Sequence, residues 1–199
     1  MKAATHIYKP VLRLSPVRPV IMKPAALLLL NFVVSLTSAS NTSIGKKAKS
    51  SMKPLIVLLS VFGICAGITA FLGNADFNLS GRIAMSAMLA FTAMGHFKFT
   101  EGMAMMLPAG VPAKKQIVWA TGVIEILAAI GLLISTTIQL TGILLIVFFL
   151  MILPANIYAT MKNVNLEKAD YTGNGMNYLW FRISEQIFFI AWVYFFTVR

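Results

Sequence analysis

Five apolar runs, each near the length a helix needs to cross a bilayer, leave this chain of 199 residues little choice of fold. They cover residues 54–72, 82–97, 117–134, 138–158 and 179–198. Inside lipid, such a run satisfies its backbone only as a helix or within a closed barrel. Neither the ten-residue alternation nor the polar turns of a membrane barrel are present. Composition agrees: 58% of residues are hydrophobic and 12% are charged, against about 25% charged in soluble domains. The expected fold class is all-α, a polytopic membrane helical bundle. The second run has the weakest hydropathy, because Ala, Met, Phe and Gly carry it. Its Ser86, Ala87, Ala90 and Ala93 suit close helix contact more than lipid.

Lysine and arginine in the connections set the expected orientation. Lys46, Lys47, Lys49, Lys53, Lys98, Lys114, Lys115, Lys162 and Lys168 fall on one side, and only Arg82 and Arg199 on the other. That bias places the lysine-rich loops in the cytoplasm and the C-terminus outside. The first 50 residues hold eight basic residues and no acidic one, out of a formal net charge of +11. Residues 1–51 therefore read as a basic extension and residues 52–199 as the membrane domain. Met22-Lys23-Pro24 followed by an apolar stretch and small residues has the order of a signal peptide. Cleavage there would put the lysines before the first run outside, against the loop bias. A start at Met52, which again begins Met-Lys-Pro, removes the conflict and is the favoured expectation. An extra interfacial or spanning segment is the third account.

The chain offers little for cofactor chemistry. Cys65 is its one cysteine, and His6 and His96 are its two histidines. No dithiol relay, thiolate cluster or bis-histidine haem can be built from that supply within one chain. Phosphate loops, dinucleotide glycine fingerprints and a nucleophile elbow are absent from the sequence. No cofactor and no metal are expected, and no folded nucleic-acid module accompanies the basic tail. Gly63 and Gly67 form a Gly-x-x-x-Gly face on the first helix, a pattern that permits close helix packing. Asn174-Gly175 marks a turn before the last run.

Chemistry gathers instead around Glu125, in the middle of the third run. A charge at the bilayer centre costs roughly 2.5–3.5 kcal/mol on insertion scales, so Glu125 should face protein, water or a partner. In the expected topology His96 ends the second helix, and Arg182 and Glu185 share a face of the fifth, three residues apart. At 1.5 Å per residue, Glu125, Arg182 and Glu185 lie roughly 12, 5 and 9 Å from the lysine-rich end. The candidate site is therefore an intramembrane polar cluster of His96, Glu125, Asn156, Arg182 and Glu185. One reading makes it a self-satisfying ion-pair network that fixes helix register. Its rival is a binding or proton-transfer site, with His96 as proton partner. Pro154 should bend the fourth helix by freeing the Leu150 carbonyl, a polar spot that Asn156 could serve.

Several motifs after Arg82 carry a resemblance. Gly95-His96-Phe97, Leu107-Pro108, Val111-Pro112, Thr121-Gly122-Val123-Ile124-Glu125-Ile126, Leu153-Pro154-Ala155-Asn156-Ile157-Tyr158, and Leu179-Trp180-Phe181-Arg182-Ile183 with Gln186 and Ala191-Trp192 follow in order. Over residues 82–196 the chain resembles the DoxX-like family of small four-helix membrane proteins. The resemblance implies four family-like helices, here preceded by one additional N-terminal transmembrane helix, in a bacterial inner membrane. It also implies an accessory or non-catalytic subunit of a quinone-linked redox system, with an oxidoreductase subunit or quinone as partner. Paired cysteines of better-defined relatives are missing, so thiol chemistry is not carried over. The alternative expectation is a small-molecule or proton-coupled transporter using the intramembrane Glu/Arg/His site. The lipid bilayer is the expected surrounding, and a second copy of the chain is a further expected partner.

Overall fold

The computed structural model describes residues 52–73, 76–173 and 177–199. The basic extension, its start at Met52 or elsewhere, and the Asn174-Gly175 turn lie outside the described residues. Six helices are described: α1 (Lys53–Phe71), α2 (Phe77–Lys98), the short α3 (Thr100–Ala104), α4 (Lys114–Gly131), α5 (Ile138–Met161) and α6 (Asn177–Val193). A π-helical turn, Tyr194–Val198, continues α6. Among the described residues there is no strand, only an isolated bridge between Asn165 and Asp170. Among the described residues, three helical segments are long and apolar enough to cross a membrane: Lys53–Phe71, Ile138–Met161 and Leu179–Val198.

Local chemistry explains where the helices depart from the apolar runs. α2 starts five residues before its run, because Asp76 Oδ1 accepts the Leu79 amide at 2.9 Å and caps the first turn. α4 begins at Lys114, after Ala113 turns the chain in the left-handed region at φ 51°. It ends at Gly131, short of the end of its run, where Thr137 Oγ1 donates to the Gly131 carbonyl at 2.8 Å. Residues 132–137 are thereby drawn into a turn. α5 runs through Pro154. Pro54 sits in the first turn of α1, where its missing amide hydrogen leaves no bond unmade.

α2 is the centre of the packing. It lies against α1 and α4 and also touches α6 and the π-helical turn, while α5 packs mainly on α6 and that turn. Ser80, Gly81, Ala84, Met85, Ser86, Met88, Leu89 and Ala93 of α2 are buried, which fits the small-residue pattern; Ala90 faces outward. The Gly63 and Gly67 face of α1 is a correction. A methyl group added at either glycine would have no neighbour within 4 Å, so this face makes no close helix contact among the described residues. α1 uses Phe62 instead, edge-on to Trp192 at 4.9 Å between ring centres and 5.6 Å from Phe196.

The lysine-bearing segments meet at one end of the bundle. Lys53 pairs with Glu167 at 2.8 Å and Lys115 with Glu101 at 2.5 Å. The Lys114 ammonium donates to the Leu107 carbonyl, and Gly102 lies directly under the Leu166 carbonyl with no room for a Cβ. The loop after α5 is closed by its own hydrogen bonds. Asn165 Oδ1 accepts the Glu167 and Lys168 amides, and Gly173 donates to the Asn163 carbonyl.

Candidate functional site

Glu125 is buried, with 4% of its surface exposed. It occupies the inner face of α4 with Val118, Gly122 and Ala129, at the helical spacings of four and seven that align side chains on one stripe. The facing helix is α2. A Cβ at Gly122 would come within 2.9 Å of the His96 Cβ and 3.4 Å of the Phe97 ring. Glycine here lets the two helices approach closely, and that approach delivers the imidazole to the carboxylate. His96 Nε2 lies 3.3 Å from Glu125 Oε1.

The other ring nitrogen is held in place. His96 Nδ1 is 3.2 Å from the Val118 carbonyl oxygen and 3.0 Å from Thr121 Oγ1. The Thr121 hydroxyl donates to the same carbonyl at 2.8 Å. From behind, Thr100 Oγ1 donates to the His96 carbonyl at 2.7 Å and accepts the Trp119 indole N–H at 3.0 Å. α2, α3 and α4 are thus tied around the imidazole. Glu125 Oε2 is buried and has no hydrogen-bond partner. Leaving a buried polar atom unsatisfied costs about 1–3 kcal/mol, more for a charge.

The expected five-residue cluster divides. His96 and Glu125 form one pair, and Glu125 finds its partner in His96, not in Arg182. Glu185 is also buried, its Oε1 likewise lacks a hydrogen-bond partner, and its charge interacts with that of Arg182. α6 meets α2 near the start of α2, where Trp192 Nε1 donates to the Gly81 carbonyl at 3.0 Å. A carboxylate cluster that satisfies itself is not what these residues form.

Asn156 belongs to a separate arrangement. Its Nδ2 donates to Gln186 Oε1 at 3.2 Å, and Gln186 Nε2 donates to the Phe149 carbonyl at 2.6 Å. Asn156 was expected to serve the carbonyl freed by Pro154. Instead Gln186, from the neighbouring helix, reaches α5 one residue earlier, and Asn156 supports that amide. Phe149 and Asn156 are seven residues apart and share a face of α5, so one side chain from α6 can meet both. Thr121, Val118 and Gln186 are the functional neighbours that sequence reasoning did not place. Among the described residues no three His, Cys, Asp or Glu side chains come together as metal donors.

A family model with the description Domain of unknown function (DUF8561) matches residues 85–197. No curated protein and no solved structure matches the chain.

Proposed function

From the premise that the chain belongs to this DUF8561 family, we propose that it is a multi-pass membrane protein that binds a small hydrogen-bond-donating solute, the proton included, at His96 and Glu125. The observation that carries this reading is Glu125 Oε2, buried and without a donor, beside an Oε1 that already faces His96. A purely structural ion pair does not require a buried acceptor that no protein donor reaches. A binding site needs one, and ionisable groups inside membrane bundles commonly mark solute or proton paths. Glu185 Oε1, on α6, is a second buried carboxylate oxygen without a donor.

The membrane topology that fits is four family-like helices, α2, α4, α5 and α6, preceded by α1. α2 is the least apolar of the five, and its buried face is built of small residues that suit close helix contact. The lengths of α2 and α4, and the packing of α2 against α1 and α4, support a crossing. The lysine-bearing end belongs in the cytoplasm by the charge bias, and a bacterial inner membrane follows from the DoxX-like resemblance. That resemblance also carries the accessory-subunit reading, with a quinone-linked oxidoreductase as partner. The Glu125 oxygen without a protein donor favours solute binding over it, because an accessory role does not by itself call for such an atom.

The test is the thermal stability of Glu125→Gln against the native chain in nanodiscs, measured across pH. Solute or proton binding predicts retained or increased stability in the variant, together with loss of a pH dependence present in the native protein. A large loss of stability at every pH, with no pH-linked difference, makes the pair structural and restores the accessory-subunit reading.

A further inference from the structure

The two nitrogens of His96 face different chemistry. A carbonyl oxygen can only accept, so the Val118 oxygen 3.2 Å from Nδ1 requires a hydrogen on that nitrogen. The Thr121 hydroxyl gives its own hydrogen to the same carbonyl at 2.8 Å and turns a lone pair toward the ring at 3.0 Å. Both neighbours fix the tautomer, and Nδ1 is protonated whether the ring is neutral or charged. In the neutral ring, Nε2 is therefore a bare lone pair, 3.3 Å from Glu125 Oε1. A carboxylate facing that lone pair would be a buried charge with no compensation.

We infer that His96 and Glu125 hold one proton between them, exchangeable at Nε2 and Glu125, while the Nδ1 hydrogen stays locked to Val118. This deepens the binding site proposed above and rests on it. With the proton on Nε2 the pair is imidazolium and carboxylate; with it on Glu125 both groups are neutral. The sum is zero in either arrangement. Removing the proton leaves one buried negative charge, and adding a second leaves one buried positive charge, so the one-proton state is the stable one.

The surrounding charges leave this balance to the pair. On α2, Arg82 Nε donates to the Asn78 carbonyl, and Lys98 lies over the Phe99 ring at 5.3 Å. Glu101 of α3 is paired with Lys115 of α4, Lys114 with the Leu107 carbonyl, and Lys53 of α1 with Glu167. α5 carries no charged residue, and on α6 Arg182 and Glu185 act on one another.

Because His6 is the other histidine of the chain, a His6→Ala background leaves one imidazole to observe. Nitrogen-15 NMR of the full chain in nanodiscs, titrated from about pH 4 to about 9, reads both ring nitrogens directly. The expected spectrum keeps Nδ1 protonated throughout and shows one titration step at Nε2. Adding Glu125→Gln should leave the Nδ1 hydrogen in place and change the pH response at Nε2. A bare Nδ1 in the native chain overturns the inference, as does an Nε2 step identical with and without the carboxylate. If the variant does not fold, the native tautomer still decides. No solute enters this measurement, so a failure of solute binding and a failure of proton sharing are read separately.

Discussion

Gly122 is the residue on which the His96–Glu125 geometry depends most directly. With a Cβ 2.9 Å from the His96 Cβ, Gly122→Ala must push α2 and α4 apart. Overpacking of this kind costs about 1–3 kcal/mol, and the expected result is a lower unfolding temperature together with a changed His96 spectrum. A second single-residue prediction concerns Asp170, in the loop after α5. The Thr172 hydroxyl and then the Thr172 amide donate to its carboxyl and hold it below the ordinary carboxylate range. A lowered native value means that the stabilisation is present above about pH 4 and is lost as pH falls through the native value. Protection of the Thr172 amide from hydrogen exchange, taken relative to its intrinsic rate at each pH, should therefore fall at acid pH, and Asp170→Asn should abolish that dependence. At this scale the sequence was legible where a charge interrupts an apolar run, which is why His96 and Glu125 stood out. It was illegible where the partner is a backbone carbonyl or a neutral amide. The Val118 oxygen leaves no trace in any residue type, and Gln186 looks like many helix glutamines.

At the scale of elements, the join between α5 and α6 is an amide relay across a proline-containing helix. Removing Gln186 takes the donor from the Phe149 carbonyl and the acceptor from Asn156 in one step. Gln186→Leu should destabilise the bundle by about 1–3 kcal/mol and Asn156→Leu by less, since Gln186 keeps its bond to Phe149. The double variant should lose less than the two added together, because both act through one network. Thermal unfolding of the three variants decides this. Helix positions were legible from hydropathy, and their ends were not. α2 was expected at residue 82 and begins at Phe77, because an aspartate cap and polar first turn lie outside any apolar window. The end of α4 at Gly131 depends on a hydroxyl six residues later, a tertiary-like bond that no run length encodes. Local pattern tied Asn156 to the carbonyl freed by Pro154, whereas its amide pairs with Gln186 of α6.

For the whole molecule, the lysine-bearing end is joined more by fit than by charge. Lys53 and Glu167 are each about half exposed, at 52% and 47%, and an exposed pair contributes about 0–1 kcal/mol. Lys53→Ala should leave the unfolding temperature almost unchanged. Gly102→Val should lower it clearly, because no side chain fits under the Leu166 carbonyl; parallel melts of the two variants test the contrast. That Lys53, Lys114 and Lys115 share one end was legible from the loops, since charge bias follows the alternation of the chain; Lys46, Lys47 and Lys49 lie outside the described residues. How the helices neighbour one another was not, because hydropathy gives each run a depth and no azimuth.

The π-helical turn Tyr194–Val198 brings Phe196 against Gly81 of α2 and Thr197 against Gly142 of α5. α4 and α5, though consecutive, share few contacts, so the α1–α2–α4 group and α5 are joined chiefly through α6 and this turn. Chain order then becomes an order of assembly: the ribosome delivers the joining piece after both parts it joins. Among the described residues, the contacts that join the two parts are thus made only once the segment through residue 198 is present.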